Sequence, residues 1–164
     1  MKSIRVGSWF ALGLVMLAAL PAAAADKAIN LSLFTPISLA KAEDAVTAFR
    51  FNLIYGRNTS VKVVDLGFVN HTTAGVSNGL QWGFANYAES EFSGVQLGAV
   101  NFDKGTGKGL LLGAFNYTMN GGGLHLAFVN YAEKLHGVQI GAINIIKEGG
   151  MFPVMVIANW SKKQ

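Results

Sequence analysis

The chain contains no cysteine, and only 13% of its residues are charged. The absence of thiols excludes disulfide bonds, thiolate metal sites and a lipid-modified N-terminal cysteine. The chain has instead 20 glycines and 11 phenylalanines. So few charges on a small chain indicate that much of its surface does not face water.

Residues 1–25 have the features of a signal peptide. Lys2 and Arg5 provide a positive start, Val6 to Leu20 form an apolar run, and small residues suited to cleavage follow. The run is shorter than the about 20 residues that a membrane-spanning helix needs. We therefore expect export, with a mature chain that begins near Asp26.

The apparent basicity of the chain comes mostly from this leader. Without Lys2 and Arg5, 11 basic residues remain against 9 acidic ones, and the net charge falls from +4 to +2. A nucleic-acid-binding protein carries its basic residues in a clustered stripe. Here they are scattered, so we expect no nucleic-acid partner.

The dominant pattern is the phrase Gly-x-Gln-x-Gly-x-x-Asn, which begins at Gly79, Gly94 and Gly137. Its closing asparagine recurs every 14 to 16 residues, at Asn70, Asn86, Asn101, Asn116, Asn130, Asn144 and Asn159. A fixed period indicates one structural unit stacked on itself. Catalytic machinery is rarely repeated, so the pattern argues against an enzyme.

Each repeat predicts a strand followed by a turn. About ten residues alternate between apolar and polar, and four to six glycine-rich or polar residues follow. We predict a lead-in segment over 26–47 and an all-β repeat domain over 48–164. The eight strand-like segments are 48–58, 62–71, 79–89, 94–104, 109–119, 122–132, 137–147 and 152–162.

The two faces of these segments differ in polarity. One face is apolar throughout, and the other carries a polar residue or a glycine in nearly every segment. The polar side chains that we predict to lie in the interior are Arg50, Asp65, Gln81, Gln96, His125 and Gln139. Arg50 and Asp65 fall on consecutive segments where they could pair, as buried charges do when they can.

One architecture that fits is a small closed antiparallel barrel of the outer-membrane type. Spanning strands need about 9–11 residues, and eight strands make the smallest such barrel. The apolar face would then meet lipid. The residue after each asparagine would lie at a strand end, and the alternation would direct its side chain into the lumen of the barrel, a lumen-facing parity. These residues are His71, Tyr87, Phe102, Tyr117, Tyr131 and Trp160. The leader, the low charge and the eight segments favour this architecture.

The alternative is a β-solenoid with about 15 residues per coil, bent at the central glycine of each repeat. Parallel stacking would place glutamine on glutamine and asparagine on asparagine. Such ladders explain directly why identical residues recur at one position. An antiparallel barrel offers no comparable reason.

Several phrases carry a resemblance to a known family. Besides the repeats, these are Asn52-Leu53-Ile54-Tyr55-Gly56, the stretch from Asp65 to Thr73, and Gly141-Ala142-Ile143-Asn144-Ile145-Ile146. Over residues 29–161 the chain resembles a bacterial family of exported surface-repeat proteins first noted in Leptospira. That family has no established activity, so the resemblance implies a location and not a chemistry.

The sequence contains no recognisable constellation for catalysis, cofactor binding or metal binding. His71, His125 and His136 lack a ligand-type spacing, and we expect structural roles for them. Most acidic residues, Asp103 among them, fall in predicted turns. The first functional hypothesis is a non-enzymatic structural or interaction protein of the bacterial outer membrane or cell surface, with outer-membrane lipid as a partner. The alternative is a secreted solenoid whose Gln/Tyr face binds a polymer or a protein.

Overall fold

The computed structural model describes residues 25–162. Residues 1–24 of the predicted signal peptide lie outside this range. The described part is all-β, as predicted. Its strands are β1 (Asp26–Phe34), β2 (Ile37–Ser38), β3 (Ala45–Asn58), β4 (Lys62–Thr72), β5 (Val76–Trp82), β6 (Ala85–Ala88), β7 (Glu91–Leu97), β8 (Val100–Leu112), β9 (Phe115–Leu126), β10 (Val129–Glu148) and β11 (Val154–Trp160). No helix in this range is long and apolar enough to cross a membrane.

The strands from β3 to β10 pair in parallel, each with the strands one repeat before and after it. Gly79 lies beside Gly94, and Gln81 lies beside Gln96. The molecule is therefore a β-solenoid of about 8 turns with about 15 residues per coil. The alternative architecture is confirmed, and the antiparallel barrel is wrong. An alternation of period two occurs in both arrangements, because it fixes the faces of a strand but not the direction of its neighbour.

Each coil turns at two glycine positions. The strands are interrupted at 83–84, 98–99, 113–114 and 127–128, which form a corner at the centre of the repeat, where the first residue is glycine except at Ala127. The first glycine of the repeat makes the second bend, and at Gly94 the φ angle is 143°. A Cβ atom on Gly94 would overlap the carbonyl oxygen of Gly79 in the coil below. Only glycine permits coils to stack this closely at that bend.

The two ends of the solenoid depart from the parallel pattern. β1 pairs in parallel with β3 and antiparallel with the short β2, so part of the predicted lead-in segment 26–47 is a strand of the same sheet. At the other end β11 pairs antiparallel with β10. Terminal elements that differ from the repeat are typical of solenoids, whose end coils have a neighbour on one side only.

The interior of the solenoid is mainly polar. Among the described residues, 23 polar or charged residues are buried, against 10 hydrophobic ones. Six of the buried hydrophobic residues form two small clusters, Ala40 with Val46 and Val61, and Ala132 with Leu135 and Ile146. The fold therefore depends on hydrogen bonds inside the coils to a degree that is unusual for a small protein.

Candidate functional site

All six side chains predicted for the interior are buried, and they share one position of the coil. Registered neighbours place Arg50, Asp65, Gln81, Gln96, Leu111, His125 and Gln139 in a single column along the axis. Their role is therefore internal. None of the three glutamines is free to contact a ligand.

The first half of this column is a continuous hydrogen-bonded chain. The Arg50 guanidinium donates to both carboxylate oxygens of Asp65, from Nε to Oδ1 at 2.7 Å and from Nη2 to Oδ2 at 2.7 Å. Gln81 Nε2 donates to Asp65 Oδ2 at 2.9 Å, and Gln96 Nε2 donates to Gln81 Oε1 at 2.9 Å. Neutral amides in the next two coils thus continue the hydrogen-bonded chain that begins at the ion pair.

Asp103 extends this network, although the sequence placed it in a turn. Its side chain is fully buried and accepts a hydrogen bond from Gln96 Nε2 at 2.9 Å. Burial raises the pKa of Asp103 to about 7, although the bond from Gln96 opposes this. Asp103 lies in register with Ala88 and Thr118, which are interior positions. The two-residue spacing from Asn101 was the signal that could have revealed it.

In the described part of the chain His125 occupies the glutamine position but, like Gln139, lacks the side-chain hydrogen bonds that Gln81 and Gln96 make. Within residues 25–162 neither ring nitrogen has a partner, and burial lowers the pKa of His125 to about 4. His71 instead lies near the surface, where its ring contacts the Tyr55 hydroxyl and the Glu89 carboxylate, both at 2.7 Å. No group of three or more metal-ligating side chains occurs among the residues described.

A second interior column is a ladder of asparagine amides. Each Nδ2 donates to the Oδ1 of the next asparagine at 2.7–3.0 Å, in the order Asn52, Asn70, Asn86, Asn101, Asn116, Asn130 and Asn144. The same amides also donate to backbone carbonyls beside the corner: Asn86 to Leu97 at 3.0 Å and Asn101 to Leu112 at 2.9 Å. Both carbonyls also accept a backbone N–H, from Gly83 and Gly98, so the repeated asparagine adds a second hydrogen bond where the coil turns.

The corner also changes which side chains face outward. Alternation along 79–89 alone would place Gln81 and Asn86 on opposite faces. The interruption at 83–84 resets the alternation, so both side chains point inward and Tyr87 points outward. The lumen-facing parity predicted for the aromatic residues after the asparagines is therefore wrong for the row His71, Tyr87, Phe102, Tyr117 and Tyr131.

The outer surface of the repeats is apolar on both sides of the corner. We call this the apolar surface. On one side lie two columns, Leu80, Val95, Leu110, Leu124, Val138 and Trp82, Leu97, Leu112, Leu126, Ile140. At the corner lie Phe68, Phe84, Ala99, Ala114 and Phe128, and beyond it Val69, Ala85, Val100, Phe115 and Val129. Trp82 is 59% exposed, Phe84 56% and Phe128 69%, so these large side chains face outward.

Exposed charges are confined to one edge of the coil. We define the charged edge as segments 57–62, 73–78, 89–93, 104–108, 119–122, 133–136 and 147–149. Between residues 62 and 148, every charged side chain that reaches the surface lies in these segments. The buried Asp65 and Asp103 are the remaining charged residues of that range. The solenoid is thus amphipathic around its axis.

A row of aromatic rings separates the apolar surface from the charged edge. Tyr87, Phe102, Tyr117 and Tyr131 follow one another along the axis, and the centroids of Phe102 and Tyr117 lie 4.2 Å apart with nearly parallel rings. The Tyr131 hydroxyl donates to Glu133 Oε1 at 2.6 Å, toward the edge. Lys104 Nζ lies 5.5 Å from the centre of the Tyr87 ring.

A shallow groove of about 740 Å³ follows the corner across several coils. Gly67, Gly83 and Gly98 form its floor, and Phe51, Trp82 and Phe84 are among its walls. The missing side chains at the corner create the groove, because the flanking columns project on either side of the glycines. It is continuous with the apolar surface.

Comparison with family models, with curated proteins and with solved structures found no match to this chain. The geometry of the solenoid is therefore the basis for a functional proposal.

Proposed function

We propose that this protein is a non-enzymatic, exported binding module, and that the apolar surface is where it binds. The supporting observation is the inverted distribution of polarity, with amides and charges inside the coil and large hydrophobic side chains outside. Apolar area removed from water contributes about 25 cal/mol per Å². A surface of this kind is typical of a binding site, because monomeric soluble proteins rarely expose large contiguous apolar patches.

The polymer-binding hypothesis based on a Gln/Tyr face loses its main support. Gln81, Gln96 and Gln139 are buried, so their side chains cannot contact a ligand. Rings such as Phe102 and Tyr117 stack on each other and present mainly their edges. A sugar or another planar ligand would need the ring faces. The apolar surface is the better candidate.

Residence in the bacterial envelope is part of the proposal. It is supported by the leader-like features of residues 1–25, and by the resemblance to exported surface-repeat proteins. The low charge of the chain agrees with it, since apolar partners are abundant in an envelope. We do not assign the protein a reaction.

The test compares the location of the full chain with that of surface variants in a bacterium that exports it. We expect the wild-type protein in the envelope fraction or in a larger complex. Replacing Trp82 and Phe84 together by asparagine should release a free, folded monomer. The matched control, Ser93→Asn, lies on the charged edge and should leave the distribution unchanged. A wild-type protein that is free and monomeric in the periplasm or medium would contradict the proposal.

A further inference from the structure

We infer that the apolar surface is immersed in one leaflet of a lipid bilayer, with the solenoid axis parallel to the membrane plane and the corner pointing toward the bilayer centre. This inference rests on the proposed binding function and names its partner. Four features of the molecule support it, and each concerns a different property: shape, depth, boundary and backbone.

The shape of the apolar surface fits a fluid partner better than a protein partner. Apolar columns occupy both sides of the corner as well as the corner itself. Leu80 belongs to a column on one side, Phe84 lies at the corner, and Phe115 belongs to the column on the other side. A second copy of the chain that packs on one side would leave the other side exposed. Acyl chains cover both sides and the corner at once.

The depth of the apolar surface matches one leaflet. From the corner to the first residue of the charged edge the chain runs from Phe84 to Glu89 on one side and from Trp82 back to Asn78 on the other. At about 3.3 Å per residue these distances are about 16 Å and 13 Å. The hydrocarbon core of a bilayer is about 30 Å thick, so one leaflet measures about 15 Å. The exposed charges begin where the headgroups would lie.

The aromatic row lies at the height that tyrosine prefers in membranes. Tyr and Trp are enriched at the boundary between hydrocarbon and headgroups, because their rings are apolar and their polar atoms need water. Tyr87, Tyr117 and Tyr131 stand between the apolar columns and the charged edge. The Tyr131 hydroxyl points to Glu133 on that edge. Lysines such as Lys104 can extend to the headgroups from the same height.

The strands of the immersed part make their backbone hydrogen bonds within the protein, and so do several backbone groups of the corner. Parallel ladders join each coil to the next. At the corner, Gly98 N donates to Leu112 O at 3.0 Å, and Asn101 Nδ2 donates to the same carbonyl at 2.9 Å. An unsatisfied backbone group in hydrocarbon costs several kcal/mol. The asparagine ladder therefore adds side-chain hydrogen bonds to the corner carbonyls, and its recurrence along the solenoid agrees with lipid contact there.

Vesicle flotation tests the inference with a matched pair of variants. The exported full-chain protein is purified, mixed with phosphatidylcholine vesicles and centrifuged through a density gradient. We expect the wild type to float. Phe84→Asp places a charge at the corner and should weaken vesicle binding on the order of a hundredfold. Ser93→Asp places the same charge on the charged edge and should change binding less than about twofold. Circular dichroism confirms that both variants are folded.

Tryptophan quenching measures the orientation. With Trp160→Phe, Trp82 is the tryptophan near the corner, and lipids brominated near the bilayer centre should quench it more strongly than lipids brominated near the headgroup. Lys104→Trp, made in a background with Trp82→Phe and Trp160→Phe, should show the reverse order. Equal quenching at both heights, or equal effects of the two aspartate variants on flotation, would overturn the inference.

The outcomes separate this inference from the proposed function. If the protein does not bind vesicles but forms a complex with itself or with an envelope protein that Phe84→Asp dissolves, the lipid assignment fails and the binding function stands. If it binds neither vesicles nor any partner, both fail.

Discussion

Arg50 and Asp65 form a two-pronged ion pair between adjacent coils, with both nitrogen–oxygen distances at 2.7 Å and both side chains almost completely buried. The pair is not isolated. Arg50 Nη1 also donates to Asn58 Oδ1 at 3.1 Å and to the carbonyl oxygen of His71 at 3.0 Å. The guanidinium thereby links β3 to β4, and Asn30 of β1 continues the polar column in register with Arg50.

Asp65→Asn should destabilise the protein strongly, because Arg50 would keep its charge in the interior without a counter-charge. We expect the free energy of unfolding to fall by about 3–5 kcal/mol, measured by urea denaturation. The control is Glu148→Gln, which breaks the Lys134–Glu148 pair on the surface, where the two side chains are 54% and 64% exposed. That change should cost less than about 1 kcal/mol. Similar losses for both variants would contradict the assignment.

Asn101→Ala should interrupt the asparagine ladder at its centre. Asn101 donates to Leu112 O and to Asn116 Oδ1, and it accepts from Asn86 Nδ2. Each buried polar group left without a partner costs about 1–3 kcal/mol, so a loss of roughly 2–4 kcal/mol in unfolding free energy is expected. Asn78→Ala, at an exposed asparagine of the charged edge, should change it by less than about 0.5 kcal/mol. The ladder has no structural role if the two variants unfold alike.

Two buried groups give the stability opposite responses to pH. The pKa of His125 is lowered from 6.5 to about 4, so the unfolded chain takes up a proton first and stability is lost as pH falls from about 6.5 to 4. The pKa of Asp103 is raised from 3.8 to about 7, so stability is lost as pH rises through that range. In the wild type these two contributions oppose each other between about pH 4 and 6.5.

Single substitutions should separate these responses. Asp103→Asn leaves the contribution of His125, and its unfolding free energy should rise by roughly 3 kcal/mol from pH 4 to 6.5. His125→Gln restores the residue of the repeat and leaves the contribution of Asp103, so its stability should fall as pH rises from about 4 to 7. Urea denaturation at several pH values measures both. Slopes of the same sign in the two variants would contradict the assignment.

Gly94→Ala should prevent close stacking of the coils. A Cβ atom there would overlap the Gly79 carbonyl, and the φ angle of 143° is unfavourable for alanine. We expect a loss above roughly 3 kcal/mol or a failure to fold. Gly149→Ala tests the angle alone, because its φ is 79° and no atom lies within 4 Å of the added carbon. That variant should lose only about 1–2 kcal/mol in thermal unfolding. Comparable losses would show that stacking distance is unimportant.

The pattern of residues identified much of the interior before the fold was known. A polar residue recurred on one face of nearly every segment, and the structure places Arg50, Asp65, Gln81, Gln96, His125 and Gln139 inside the coil. The asparagine ladder and Asp103 were not among those residues. Alternation through the central glycine without a break puts Gln81 and Asn86 on opposite faces, and the acidic residues such as Asp103 are predicted in turns, so the sequence pattern does not identify either as interior.

The amino-acid sequence by itself determined the all-β character, the repeat of about 15 residues and the separation of polar from apolar side chains. These properties depend on local composition and spacing, which do not change with the partner of a strand. Only the tertiary structure decided that neighbouring strands run parallel, that the coils turn at the centre of the repeat, and that the repeated asparagines face inward while the aromatic residues after them face outward. Those outcomes depend on backbone hydrogen bonds between residues one coil apart, and an alternation of period two is equally compatible with either strand direction.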